Sequence, residues 1–309
     1  MPNAAPPSPL PSSAPGAPLI AACLAATWLI WGSTYLAIKW ALPSFPPFFQ
    51  MGTRFLAAGG LLMAWVLLRG ARLPTRAEWV SAVVLGALML GGGFGATAVA
   101  QTTVSSGLVV AFIAVVPALV ALAEWPYGVR PSRREAAGIS LGLVGVVMLS
   151  RGAGFAASLP GLLWLTLACV TWSVGSVWAR HGLPRALGGG PLAMAPGAAG
   201  YASQMLAGGA LLALAALAAG ERPAWPPEGR ALLSWAYLVV AGSLVAFSAY
   251  MVLLQRTSTA LASSYTFVNP VIGLVLGVTL GGEVVTTGEW LAAAVVCAGV
   301  LLLLRPPQR

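Results

Sequence analysis

Two stretches of this 309-residue chain carry matching residues in the same frame. IWGSTYLAIKWALP holds Trp31, Lys39 and Pro43, and TWSVGSVWARHGLP holds Trp172, Arg180 and Pro184; each pair is 141 positions apart. The match continues downstream with a slowly drifting offset. Trp79 and Gly86 correspond to Trp235 and Gly242, Pro117 to Pro270, and Glu135, Gly145 and Arg151 to Glu289, Gly299 and Arg305. Common residues such as Gly, Trp and Pro make each identity weak alone, but their shared order makes the set an internal repeat.

The repeat sits in a chain that water cannot solvate. Only 7% of residues are charged and 59% are hydrophobic, against roughly 25% charged in a soluble domain. Lipid must cover most of the outer face. The net charge of +9 raises nucleic-acid binding, but no Lys/Arg run with interleaved aromatics appears, and basic loops are the ordinary signature of a membrane protein's cytoplasmic side. A bilayer is therefore the expected partner and nucleic acid is not. Residues 1–18, rich in Pro, Ala and Ser with no basic residue, read as a disordered tail and not as a secretory signal.

A membrane-crossing helix takes about 20 apolar residues. Ten runs suit it: 19–41, 47–68, 78–99, 105–124, 134–150, 160–180, 193–219, 231–254, 260–281 and 288–305. The expectation is an all-α polytopic membrane protein with ten transmembrane helices. The runs are too long, and too lacking in alternation, for barrel strands. The repeats span residues 19–151 and 160–305. Five helices per repeat is an odd number, so the two copies would insert in opposite senses, an inverted repeat of the kind that supports alternating access. Counting basic loop residues puts both termini in the cytoplasm of a bacterial-type inner membrane.

Several strings resemble the drug/metabolite transporter superfamily in its EamA-type branch of ten-helix carriers: WLIWGSTYLAIKWAL at 28–42, RFLAAGGLL at 54–62 and SYTFVNPVIGLVLGVTLGGEVVTTGEWLAAAVVCAGVLLL at 264–303. The first half departs from the last string, with Arg130 where the second half has Glu283. The resemblance implies export or exchange of small metabolites such as amino acids, related metabolites or drugs.

The pathway candidates come from the residues themselves. Trp31, Thr34, Tyr35 and Ile38 fall on one face of the first helix, and Trp172, Gly175 and Ser176 form the matching stripe on the sixth. Trp31 and Trp172 would face each other, as aromatic walls for a solute or as packing and belt residues. Arg54 is the charge nearest a helix interior, and either binds a substrate anion or snorkels to the outer interface. Pro117 and Pro270 are expected helix breaks near a central site. Tyr265 and Asn269 lie one turn apart beside the second; Gln204 and Tyr250 are further polar residues at depth.

With no Asp, one His and no clustered Glu, there is no acid/base pair, nucleophile or metal site for an enzyme. Cys23, Cys169 and Cys297 sit in apolar runs and read as packing residues. No metal or cofactor is called for. The expected function is a secondary transporter of a small organic molecule, working as a uniporter or exchanger; the alternative is a membrane-embedded accessory or scaffold subunit. Ten helices can enclose a path without a second subunit, and a homodimer is also compatible with the pattern.

Overall fold

The computed structural model describes residues 16–150, 158–281 and 286–304. It is all-helical: α1 (Ala17–Ala41), α2 (Pro47–Leu68), α3 (Arg76–Ala100), α4 (Ser106–Tyr127), α5 (Arg133–Ser150), α6 (Leu159–His181), α7 (Ala198–Ala218), α8 (Gly229–Arg256), α9 (Thr259–Ala262 followed by Tyr265–Gly281) and α10 (Thr287–Leu304). Seven of them, α1 to α4 and α6 to α8, are long and apolar enough to cross a membrane. The expected tail runs into structure at its end, because α1 begins at Ala17; residues 1–15, Arg151, Glu283, Arg305 and Arg309 lie outside the described residues.

Lipid-type surface is plain on the outside. Leu61, Leu163, Leu214, Leu233 and Leu301 are each more than half exposed, which in water would be an aggregation liability. Without a hydrophobic drive between helices in lipid, cohesion comes from close packing over small residues. A Cβ on Gly299 of α10 would lie 2.8 Å from Gly138 O and from Gly142 N of α5; Gly52 of α2 meets the α7 backbone at Ala213 N just as closely. The small-residue spacing at 138 and 142 is thus a helix–helix seam.

Three of the long helices are not α-helical throughout. The ladder widens to π over Gly86–Gly95 in α3 and over Leu238–Phe247 in α8. α4 is interrupted at Ala114 and Val115, and restarts with Pro117 in its first turn. α9 behaves differently. Its interruption lies at Ser263 and Ser264, and Pro270 sits inside the continuous segment Tyr265–Gly281. The break expected at Pro270 is therefore displaced towards the N-terminus, where Ser258 caps the short first piece and Ser264 is anchored by Trp28 Nε1 at 3.0 Å.

Polar contacts tie helix ends together and define two ends of the bundle. At one end, Glu221 after α7 accepts from the backbone N–H of Phe48 and Phe49 at 3.1 and 2.7 Å, capping α2. There too Glu228 N donates to Ser44 Oγ at 3.0 Å, and Ser158 Oγ donates to Thr103 Oγ1 at 2.7 Å. At the other end, Arg72 holds Glu78 by two bonds of 2.7 and 2.6 Å, and Glu78 completes a capping box with Thr75. Residues of the Glu124–His181 region, described below, share that end.

Because the Gly299 seam is backbone against backbone, Gly299→Leu cannot be absorbed by a side-chain shift and should cost about 1–3 kcal/mol or more of stability. A thermal melt in detergent should fall accordingly, whereas Gly60→Leu, with nothing within 4 Å of its Cβ position, should leave the melt unchanged.

Candidate functional site

The fold brings Trp31 of α1 and Trp172 of α6 together inside the bundle. They are 2% and 5% exposed, with ring centroids 5.7 Å apart and planes at 78°. Three more rings complete an enclosure. Tyr265 is 4.6 Å and Tyr250 5.4 Å from Trp31, and Phe94 is 5.3 Å from Trp172 and 5.9 Å from Trp31. Edge-to-face geometry of this kind is favourable beyond simple burial.

The π segments position it. Trp31 donates its indole N–H to Gly242 O of the α8 π segment at 3.1 Å. On the other side, a Cβ on Gly93 of the α3 π segment would lie 2.9 Å from the Trp172 ring, and one on Gly92 would collide with Thr171. α6 can cross α3 at this point only because both positions are glycine. π turns are uncommon and recur at functional sites because they re-aim side chains; here the α3 π segment presents Phe94.

Between these rings lies a cavity walled by Trp31, Thr34, Tyr35, Ile38, Phe94, Thr97, Cys169, Trp172 and Tyr265, among others. Its hydroxyls are partly occupied: Thr34 donates to Trp31 O at 2.8 Å and Thr97 to Gly93 O at 2.8 Å. The Trp172 indole N–H makes no hydrogen bond of normal geometry, although it faces Tyr250 and Tyr265. Among the described residues, no acidic side chain lines the cavity.

Other expected residues stand one layer back. Ser176 and Tyr250 share a buried hydrogen bond of 2.7 Å, with Ser176 also donating to Trp172 O. Asn269 is buried beside Tyr35, without a well-formed hydrogen bond of its own. Gln204 is buried on α7, its amide unpartnered, and is not among the cavity walls. Arg54 does not snorkel. It is 0% exposed, donates from Nε to Ser243 Oγ at 2.7 Å, and lies 4.9 and 5.1 Å from the centroids of Phe55 and Phe94.

Sequence reasoning missed Phe94 and misjudged Cys169, which lines the cavity. A signal for Phe94 was present: Tyr250 follows it by 156 positions, the spacing that relates Trp79 to Trp235.

A second polar cluster occupies the far end. Glu124, 7% exposed at the end of the main part of α4, accepts from Thr259 Oγ1 at 2.7 Å and is 2.8 Å from His181 Nε2. His181 stacks on Tyr127, whose hydroxyl donates to Gly182 O at 2.6 Å. Arg180 donates to the carbonyls of Leu254, at 2.6 Å, and Thr257. Arg180 thereby bolts α6 to the end of α8.

The model of the EamA-like transporter family matches the chain twice, over residues 18–151 and 159–305. The chain belongs to the EamA-like transporter family. Among relatives of this transporter-family chain, the uncharacterized inner membrane transporter YedA of Escherichia coli K12 is 37% identical over 281 residues, spanning 91% of this chain and 89% of YedA. A WAT1-related chloroplast protein of Arabidopsis thaliana is 27% identical, covering 91% of this chain and 68% of its own length. A transporter of Synechocystis is 26% identical, covering 91% and 88%. One crystal structure shares the fold with a TM-score of 0.72 at 24% identity, covering 93% of this chain and 97% of the other.

Gly242 leaves room for the guanidinium: a Cβ there would lie 2.8 Å from Arg54 Nη2. Gly242→Ala should therefore destabilise the wild type, and by less in an Arg54→Met background. A double-mutant cycle on melting free energies checks this coupling; additive effects would place the two residues out of contact.

Proposed function

We propose that this EamA-family protein is a secondary transporter that moves a small organic solute through the cavity between Trp31 and Trp172 by alternating access. The observation that carries the reading is the aromatic enclosure itself: two tryptophans, from helices that match in the repeat, close on one buried space. The halves are residues 19–151 and 160–305, each contributing five helices in inverted topology. Three features support that division: the family model matches twice, a π segment lies in the third helix of each half, and the enclosure pairs Trp31 with Trp172 and Phe94 with Tyr250.

Both termini are cytoplasmic in this reading. The end holding His181 also carries Arg69, Arg72, Arg76, Arg130, Arg133, Arg134, Arg185 and Arg256, while the opposite end carries Lys39, Arg222 and Arg230. The Glu124–His181–Thr259 cluster and the Arg180 clamp then form the cytoplasmic gate. They join α4 of the first half to α6, α8 and α9 of the second, so they must part when the cavity opens inward. Thr103–Ser158 and Glu221 with the start of α2 are their counterparts on the outer face.

Among the described residues no carboxylate lines the cavity, which favours uniport or exchange of one solute for another. A scaffold without transport would have no use for a buried space lined by rings, nor for glycines that keep it open.

Cys169 is a built-in reporter. In a Cys23→Ser/Cys297→Ser variant in sealed vesicles, a membrane-impermeant maleimide added on the cytoplasmic side should label Cys169 slowly. Glu124→Gln and His181→Ala should each speed that labelling roughly tenfold, the scale of losing one hydrogen bond to a charged group. Unchanged cytoplasmic labelling would remove the gate assignment.

A further inference from the structure

Arg54 is a buried cation without a counter-charge. Among the described residues, the carboxylates within 4.0 Å of a basic side chain belong to Arg72–Glu78 and His181–Glu124, and neither involves α2. Arg54 Nη1 faces only Met51 Sδ, at 3.6 Å, and Nη2 has no hydrogen-bond partner at all. A guanidinium inside a membrane bundle is costly unless something pairs with it. Two aromatic rings offset part of that cost, and one of them, Phe94, is a wall of the central cavity.

The rest of that wall points the same way. Among the polar groups that line it, the Trp172 indole N–H, a donor only, makes no well-formed hydrogen bond, and the hydroxyls of Tyr35 and Tyr265 can each supply a further donor. An ammonium would find no carboxylate there. An anion would find donors in the wall and a positive charge one ring behind it, in surroundings of low dielectric where Coulomb attraction reaches past direct contact. The aromatic sides favour a flat apolar body.

We infer that the cavity binds the deprotonated carboxylate of a small aromatic or otherwise flat apolar acid that carries no amine, with Arg54 as its counter-charge. This narrows the transporter reading to a substrate class and rests on it only for movement, not for binding. Direct contact requires Phe94 to turn off the guanidinium; the fixed charge attracts the acid before that happens. Gly242 keeps Nη2 unobstructed, and Ser243 fixes the orientation of the fork through Nε.

The test uses the full chain, purified and also reconstituted, with four probes of one shape: 3-phenylpropionate, 3-phenylpropylamine, phenylalanine and phenyl phosphate. The carboxylate should raise the melting temperature in a saturable way. The amine should not, and phenylalanine and the phosphate dianion should bind more weakly than the carboxylate. Arg54→Met should weaken carboxylate binding about tenfold or more, and Arg54→Lys should restore part of it. Stabilisation by the amine equal to that by the carboxylate, or a preference for the phosphate, would overturn the inference. So would full carboxylate binding in Arg54→Met. If Arg54→Met does not fold, the ranking of probes on the wild type decides alone. Carboxylate binding without flux in proteoliposomes would contradict the transporter reading and leave the binding class standing; flux of the amine without the carboxylate would do the reverse.

Discussion

Everything at the centre of this protein depends on two widened helical turns. The π segments of α3 and α8 each receive a tryptophan from the other matched segment of the chain. Trp172 packs over Gly93, and Trp31 bonds the carbonyl of Gly242. An unbroken α-helix with ordinary side chains at these positions would push α6 and α1 outward and close the space between them. In lipid, where apolar surface has no preference for protein over acyl chains, such close approach is what holds helices together. The seams at Gly138–Gly299 and Gly52–Ala213 obey the same rule, but they enclose nothing. The π turns bring helices together and hold a cavity open at once.

The polar groups divide between the two tasks. The helix-end carboxylates Glu78, Glu124, Glu135 and Glu221 all accept well-formed hydrogen bonds, whereas Gln101 and Ser105, also at helix ends, keep unpartnered atoms. In the middle of the bundle, Thr34, Thr97 and Ser176 are bonded, while Arg54, Trp172, Asn269 and Gln204 all keep buried atoms without partners. Native structures rarely leave such groups idle without reason. Unpartnered polar groups in the middle of the bundle are what a protein that hands them to a passing molecule would keep there.

Much of this was legible in the sequence. Helix positions followed from the lengths of apolar runs, because a bilayer tolerates almost no other way of burying backbone; α2 and the start of α9 were placed to within a residue. The Trp31–Trp172 pairing followed from the repeat. What sequence did not reveal has a physical cause in each case. π turns have no residue code, since they arise from a local slip in the hydrogen-bond ladder, so Phe94 went unseen. Pro270 suggested a break, but a proline removes one hydrogen bond, and the surrounding helix of α9 tolerates that loss; the chain breaks instead at two serines that bond elsewhere. Arg54, seven residues into α2, left two readings open, an anion-binding group or a side chain reaching the interface. Packing under Phe55 and Phe94, with Ser243 as partner, holds it inside instead. His181 and Glu124 lie 57 positions apart, and only the tertiary fold shows that they meet.

The central claim is that the space between the tryptophans is wet although its walls are buried. Hydroxyl-radical footprinting of the protein in lipid nanodiscs measures this directly, since radicals formed from enclosed water oxidise the side chains beside it. The account predicts rapid oxidation of Trp31, Trp172, Tyr265 and Cys169, and protection of the equally buried Phe55, Met51 and Phe247 in the packed core. Equal protection of both groups would mean a dry, closed centre and would contradict a solute pathway there.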